Sequence, residues 1–420
     1  MTNVDARGCA LSGATPAAAE ALERALAALL AWRSGAEAHL ATALEASPRL
    51  VMAHVLQGWM LACGRDPKRV AAVGEVVVRA SVLPANERER AHLAALAAVG
   101  DDDYDFAKAR LGALLRAHPR DPLALHAAHS FDYITGDTAR LRDRVAALLP
   151  FWSSDLPGYH ALLAMHAFGL EECGEHARAE REAHAALAMN PLDARAYHVL
   201  AHVFEMTGRA AEGVRWMTTH RAVWSADSIA ATHFWWHLAL FHLACGQADR
   251  ALALYDERIR AGGSVEVADL IDASALLWRV QLQGSGTGRR ACALADAWAP
   301  HIDDRFCSFN DLHAMLAFVA ARDWRRAKRL ERRLAAAQKL STRHAETTRQ
   351  LGLPACRALM AHGRGDDALA VSLLAALPPL ARRLGGSHAQ RDVLHLTLLS
   401  AAERIRRTAP ANAPRTLQDA

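Results

Sequence analysis

The segment 197–206 places three acid–base side chains on one face of a predicted helix. It reads YHVLAHVFEM, with His198, His202 and Glu205 at positions i, i+4 and i+7, which lie within about 60° of one another around a helix. Imidazole and carboxylate groups bind zinc or iron, and a carboxylate that orients an imidazole supports proton transfer. Three interpretations stay open: the residues bind a metal, they do acid–base or hydrogen-bonding chemistry, or the histidines are purely structural. The last one stays open because a chain with 22 histidines places some together by chance.

A second segment rich in histidine and aromatic side chains is 231–246, ATHFWWHLALFHLACG. His233 and Trp236 share a helix face, and His237 lies about 40° from His233. We predict His233 and His237 as further catalytic candidates and Trp236 as an apolar wall for a ligand. His242 lies on the far side and is predicted to be structural or solvated.

The residue pattern of the whole chain predicts helices, and a glycine recurs between successive predicted helices. The glycines are spaced 36, 36, 38, 34 and 38 residues apart by subtraction and comprise Gly64, Gly100, Gly136, Gly174, Gly208 and Gly246. Each can end its helix in the left-handed conformation. The block 160–191, with small residues around its glycine and a closing Asn-Pro, resembles the tetratricopeptide repeat of about 34 residues.

The sequence therefore predicts an all-α fold, a tetratricopeptide-repeat-like α-solenoid of stacked antiparallel helix pairs. The predicted parts are N-terminal capping helices at 1–45, tetratricopeptide-like repeats at 46–262, degenerate C-terminal helical repeats at 263–407 and a disordered tail at 408–420. In such pairs, residues thirteen, ten, six and three before the turn glycine point inward. This register adds His126, Tyr133 and Glu171 as ligand-binding candidates.

Six segments in order along roughly residues 20 to 400 resemble the tetratricopeptide repeat protein 38 family. They are AHVFEM (201–206), the Trp224 segment, HFWWHLAL (233–240), ALYDERI (253–259), FNDLHAMLA (309–317) and LGGSHAQRDV (384–393). The resemblance implies a cytosolic α-solenoid with mostly polar signature residues, and it carries no settled activity. The chain departs from the family pattern at His233-Phe234 and at His388, which alters the hydrogen bonding available in the groove.

The signature segments add further ligand-binding candidates. Asn310, Asp311 and His313 stand at a predicted helix start, where Asn or Asp is also a typical cap. Arg391 and Asp392 are also candidates, because they follow a loop whose free amides could hold an anion and Arg391 could clamp a carboxylate. Alternatively, Arg391 pairs with Asp392 on the surface. One of Asp269 and Asp272, three residues apart, is expected to face inward.

The composition of the chain limits the kinds of partner and the cellular compartment that we expect. The 49 Lys and Arg nearly balance the 45 Asp and Glu, and no basic patch is interleaved with aromatics, so we expect no nucleic-acid partner. No apolar run reaches the length of a membrane span, and the first residues lack a signal pattern. Seven scattered cysteines fit a reducing compartment. We expect a cytoplasmic protein without membrane contact.

Three functions fit these features. The favoured one is a His/Glu/Trp-lined inner pocket that binds a small polar, carboxylate-bearing metabolite, with His/Glu acid–base or metal-assisted chemistry if it is an enzyme. The alternative is a tetratricopeptide adaptor that grips a peptide or a partner protein in its concave groove. The third function is an assembly scaffold that binds its partners through the convex face of the solenoid. A divalent metal on His198, His202 and Glu205 and a homodimer are both left open.

Overall fold

The computed structural model describes residues 3–64, 66–340 and 342–408. These residues form helices and connecting turns, with only two isolated β-bridges among them, Val4 with Ala10 and Arg33 with Ser228. The all-α prediction is confirmed. Of the predicted disordered tail, Thr408 ends the last helix and 409–420 lie outside the described residues. No helix in the described part of the chain combines the length and the apolar composition that crossing a bilayer requires.

The chain divides into two compact units. The first comprises Met1–Ala273 with Gly385–Ala389, and the second comprises Ser274–Leu384 with Gln390–Ala420. The division falls inside one helix, Val267–Leu282, whereas the sequence placed a boundary in the loop at 262/263.

The first unit contains most of the helices. In chain order they are α1 Pro16–Leu30, α2 Ala36–Ala46, α3 Val51–Ala62, α4 Pro67–Ala71, α5 Val73–Ser81, α6 Glu87–Gly100, α7 Tyr104–Ala117, α8 Pro122–Ile134, α9 Thr138–Leu148, α10 Tyr159–Glu172, α11 His176–Met189, α12 Ala194–Met206, α13 Ala210–Thr219, α14 Arg221–Ser225, α15 Ala231–Ala244, α16 Ala248–Leu254 and the first half of α17 Val267–Leu282. The helix α16 continues into one wider π turn, Tyr255–Ile259.

The second unit begins within α17 and is also helical. Its further helices are α18 Arg290–Trp298, α19 Ser308–Ala320, α20 Trp324–Ala337, α21 Arg343–Thr347, α22 Leu353–Arg364, α23 Asp367–Leu374, the end of α24 His388–Arg391, and α25 Val393–Thr408. The glycine-rich segment 283–290 connects α17 to α18, as the sequence predicts for an inter-helix loop.

In the first unit, successive helices pack in pairs and alternate helices form a row. Helix α10 packs on α9 and α11, and it also contacts α12, which in turn contacts α15. The helices approach closely because alanines such as Ala167, Ala179 and Ala201 are fully buried between them. Large rings, including Trp224, Phe234 and Phe241, fill the remaining core. The row α10, α12 and α15 carries all five predicted catalytic residues.

Turn residues follow the predicted rhythm only in part. The glycines with positive φ that end α8, α10, α12 and α15 are Gly136 (69°), Gly174 (80°), Gly208 (69°) and Gly246 (73°). The same prediction is wrong for Gly64 and Gly100, which do not have positive φ. Helix α6 continues through Gly100, and Asp102 takes the left-handed conformation instead, with φ of 59°.

Candidate functional site

Four histidines from two adjacent helices converge in the first unit. His198 and His202 are one turn apart on α12, and His233 and His237 are one turn apart on α15. One ring nitrogen from each of the four lies within 4.8 Å of the others. Two i, i+4 pairs meet because α12 and α15 pack side by side and present these faces to each other.

In three of the four rings the nitrogens that face one another are Nε2 atoms. His198 Nε2 lies 3.0 Å from His202 Nε2 and 3.1 Å from His233 Nε2. The His237 ring lies 4.7 Å from both the His202 and His233 rings, centroid to centroid. His202 and His237 are fully buried, whereas the His233 side chain is 21% exposed. Solvent therefore reaches the cluster from the side of His233.

Carboxylates stand behind three of the four rings, on the Nδ1 side. His233 Nδ1 donates to Asp272 Oδ2 on α17 at 2.7 Å. Glu205 Oε2 lies 3.3 Å from His237 Nδ1, and Glu171 Oε2 lies 3.8 Å from His202 Nδ1. A carboxylate in this position fixes the ring's tautomer and orientation and makes its Nε2 a better ligand.

Aromatic side chains enclose the imidazoles. The Trp236 ring stacks on His233 at 5.1 Å with an interplanar angle of 16°, and Trp236 is fully buried. Phe168 from α10 lies 5.6 Å from both His198 and His202, and Tyr133 packs behind Phe168 at 5.7 Å. The walls keep water away and lower the local dielectric around the nitrogens.

The histidine at the centre of the cluster is held neutral. Burial lowers the pKa of His198 well below its ordinary value, and the neighbouring imidazoles and Arg195 lower it further. A neutral imidazole has one N–H and one lone pair. In its neutral form, His233 would use Nδ1–H for Asp272 and would present the lone pair of Nε2 to His198.

A cation between the crowded Nε2 atoms would relieve the repulsion of their lone pairs. A hydrogen bond from His198 Nε2 can be directed at one neighbour, and the remaining lone pairs then repel each other at about 3 Å. The lowered pKa of His198 disfavours an extra proton as that cation. A tetrahedral zinc ion with nitrogens at about 2.0–2.1 Å needs nitrogens about 3.3 Å apart. The spacings of 3.0 and 3.1 Å lie near that value, and all four ring nitrogens lie within 4.8 Å of one another. A small inward movement of the rings would bring them onto one transition-metal ion, whose charge the carboxylates would offset.

The structure changes the predicted metal set. Glu205 does not point its carboxylate at the converging nitrogens with His198 and His202, but lies behind His237. Helix α15 supplies two imidazoles of its own to the cluster, and one of them, His237, lies between the other rings and Glu205 in the hydrogen-bonding order. Of the two aspartates on α17, Asp272 is the buried one that meets His233, while Asp269 accepts from Ser264 Oγ at 2.6 Å.

Two residues near the cluster were missed from the sequence, namely Arg195 and Trp32. Arg195 is buried one turn before His198 and its Nη2 donates to Nδ1 of His126 at 2.8 Å. The Trp32 ring lies 5.2 Å from the His198 ring. The inward register itself contained a signal for Arg195, which stands thirteen residues before Gly208. Nothing local marked Trp32, because it comes from the distant end of α1.

Five predicted ligand-binding residues belong to the second unit. Asn310, Asp311 and His313 are buried inside α19, whose cap is Cys307 without a side-chain hydrogen bond. The alternative that Asn310 or Asp311 caps the helix is therefore wrong, because α19 begins two residues before Asn310. His313 Nδ1 donates to the carbonyl of Phe309 at 2.8 Å, within its own helix.

Burial raises the pKa of Asp311 to about 8 and lowers that of His344, 3.6 Å away, to about 4. The Asp311–His344 pair is thus uncharged at neutral pH. The alternative that placed Arg391 and Asp392 as a pair on the surface is also wrong, because Arg391 is buried. Asp392 pairs with Arg279.

The arrangement in the first unit can hold a metal ion, orient its ligands and move protons through Glu205 or Asp272. These are the elements of metal-assisted chemistry on a small molecule. No protein-family model matches the chain. Its function is therefore inferred from the geometry of the site.

Proposed function

We propose that the first unit holds one divalent transition-metal ion on His198, His202, His233 and His237 and uses it to bind and process a small polar, carboxylate-bearing metabolite. The observation that carries this proposal is the convergence of Nε2 atoms at 3.0 and 3.1 Å, with a carboxylate behind three of the rings. Imidazole ligands suit zinc and iron(II).

The same geometry supports chemistry as well as storage of a metal. An ion held by the four imidazoles would have to expand its coordination beyond four to take a ligand, and the partly exposed side of His233 would give that ligand access. Glu205, whose side chain is 20% exposed, is close enough to His237 to take or return a proton. The ion would polarise an oxygen of the bound metabolite.

The proposed architecture around the site is a tetratricopeptide-like α-solenoid of the kind that the family resemblance implies. The positive φ values of four turn glycines and the row of alternate helices support it. The adaptor function is disfavoured, because the predicted groove residues His202, Trp236 and His237 are fully buried and offer no surface to a peptide.

Metal titration tests the proposal. Chelator-treated protein is titrated with zinc, iron(II) and manganese(II) by calorimetry, and we expect one ion per chain for zinc or iron(II). The variant His198→Ala/His233→Ala should lose this binding, whereas the control His388→Ala/His395→Ala, at two exposed histidines, should keep it. Equal binding by both variants, or none by the native chain, rejects the four-histidine centre.

Activity is tested on the metal-loaded protein. A library of small carboxylic acids is screened by thermal shift, and the hits are then incubated with the protein and followed by mass spectrometry. The proposal predicts metal-dependent stabilisation and turnover of at least one compound, both absent from the His198→Ala/His233→Ala variant. Stabilisation that is unchanged by metal removal and by this variant contradicts it.

A further inference from the structure

Arg195 carries a buried positive charge without a carboxylate partner. It lies in the first turn of α12 and is 6% exposed. Its Nε donates to the carbonyl of Leu30 at 2.6 Å and its Nη2 lies 3.5 Å from that of Leu29, both at the end of α1. Among the residues that the structure describes, no acidic side chain lies within ion-pair distance of this guanidinium, and no acceptor is present for Nη1.

The nearby acid does not neutralise Arg195 directly. Asp193 raises the pKa of Arg195 through space, but burial has the larger effect and lowers that pKa to about 10. The carboxylate of Asp193 is engaged by His160 Nδ1 at 2.6 Å and by the amides of Arg195 and Ala196. Arg195 thus stays charged at neutral pH, and its guanidinium retains donors to offer.

His126 presents a second donor beside it. An arginine only donates hydrogen bonds, so the 2.8 Å contact makes His126 Nδ1 the acceptor. Burial, together with Arg195 and His129, lowers the pKa of His126 well below its ordinary value, so the ring is neutral. A neutral ring that accepts at Nδ1 carries its proton on Nε2, and this N–H has no acceptor within the described ranges.

Trp32 connects these donors to the histidine cluster. Its ring lies 4.8 Å from Arg195 Cζ and 5.2 Å from the His198 ring. Its φ is 54°, a left-handed conformation that a bulky side chain rarely adopts. Hydrogen bonds from Trp32 N to Leu29 O (3.2 Å) and from Ile229 N to Trp32 O (3.1 Å) hold it there. Strained backbone of this kind concentrates at ligand sites.

We propose that Arg195 and His126 form an oxyanion site that binds the carboxylate of the metabolite, with Trp32 as its wall. The inference rests on the proposed function for the identity of the ligand and deepens it. Arg195 and His198 are one helical turn apart, about 4.5 Å along α12. A carboxylate on Arg195 therefore places the next few atoms of a short molecule beside His198, where the metal ion would act.

The charge favours a carboxylate over a phosphate. The site supplies one formal positive charge, from Arg195, and the neutral N–H of His126. A carboxylate monoanion balances that charge, whereas a phosphate dianion leaves a negative charge buried without compensation.

Anion titration of the native chain, metal-loaded and metal-free, tests the inference. Acetate, succinate and inorganic phosphate are the probes, with calorimetry and thermal shift as readouts at constant ionic strength. We expect acetate and succinate to bind and phosphate to bind more weakly. The Arg195→Met variant should bind the carboxylates about 10- to 100-fold more weakly. The control Arg178→Met, at an exposed arginine on α11, should bind as the native chain does.

A second variant covers the case in which Arg195→Met does not fold because α1 loses its carbonyl partner. His126→Phe keeps Arg195 and its bonds to α1 but removes the Nε2–H donor, and it should weaken carboxylate binding about tenfold. No carboxylate binding by the native chain, binding unchanged in His126→Phe, or a preference for phosphate overturns the inference.

The same samples separate this inference from the proposed function. Metal content is measured in each by mass spectrometry. Stoichiometric metal without a carboxylate response overturns the oxyanion site and leaves the metal centre. A carboxylate response that depends on Arg195 and His126 in a chain that binds no metal supports the oxyanion site and rejects the metal centre.

Discussion

His233 donates its Nδ1–H to Asp272 Oδ2 across 2.7 Å, and both residues lie in the first unit. This contact determines which nitrogen of the ring faces the other histidines, because a neutral ring that donates from Nδ1 has its lone pair on Nε2. It also brings a carboxylate from α17 to a ring on α15, so the centre depends on a third helix that contributes no nitrogen of its own.

Asp272→Asn tests this relationship. The variant keeps the shape and an acceptor oxygen but removes the charge that supports the ring as a ligand, so we expect metal affinity to fall about 10- to 100-fold. Calorimetric titration with zinc measures it. Asp269→Asn is the matched control, because it lies one turn earlier on α17 and pairs with Ser264. Equal losses in the two variants would argue against a specific role for Asp272.

The helical class of the chain and half of the site could be predicted from the sequence, for identifiable reasons. Alanine-rich segments with helical periodicity predict helices, Gly136, Gly174, Gly208 and Gly246 mark helix ends as predicted, and i, i+4 spacing puts His198 beside His202 on any helix. The expectation that one of the two α17 aspartates faces inward matches Asp272. These features are local, and local spacing determines them.

Other features depend on how distant segments pack. Glu205 shares a face of α12 with His202, and His237 shares a face of α15 with His233. Only the contact of α12 with α15 decides that Glu205 lies behind the ring of His237. Trp32 reaches His198 through the end of α1, which lies far away in sequence. Likewise, the start of α19 at Ser308 could not be distinguished from a cap at Asn310 by residue type alone.

Buried neutral histidines predict acid-induced loss of stability. His129 donates Nε2–H to the carbonyl of Met165 at 3.0 Å, and burial lowers its pKa to about 3. Below pH 6.5, His129 is protonated in the unfolded chain but stays neutral in the folded chain. The free energy of unfolding therefore falls by about 1.4 kcal/mol per pH unit down to about pH 3. Above pH 6.5 this histidine contributes no pH dependence.

Urea unfolding of metal-free protein between pH 7.5 and 4 measures this effect. His129→Gln keeps a donor for Met165 but does not titrate, so its midpoint should fall less steeply with pH than that of the native chain. Parallel curves for the two proteins would show that His129 is protonated in the folded state.

Asp311 in the second unit predicts the opposite dependence. Its pKa is raised to about 8 by burial, so the folded chain holds a proton that the unfolded chain releases above pH 3.8. Stability from this group is complete below pH 3.8 and falls by roughly 1.4 kcal/mol per pH unit up to about pH 8. Asp311→Asn should therefore be more stable than the native chain at pH 8, measured by urea midpoint, and a lower midpoint there would contradict a neutral Asp311.

The close approach of α9 and α10 depends on Gly169. A Cβ at this position would lie 2.6 Å from Arg142 Cα and 2.8 Å from the Leu141 carbonyl oxygen, and backbone atoms cannot move aside as a side chain can. We expect Gly169→Ala to destabilise the protein by about 1–3 kcal/mol. In Gly112→Ala, the added methyl meets only the tip of Arg144 at 3.2 Å, so thermal unfolding should show little loss or a small gain.

The most direct test of the metal centre is an anomalous difference map from crystals of the chain soaked in zinc and measured on both sides of the zinc absorption edge. The account predicts one peak among His198, His202, His233 and His237, about 2.0–2.1 Å from a nitrogen of each ring. Ordered rings at the observed spacing with no anomalous peak between them, at saturating zinc, would contradict it.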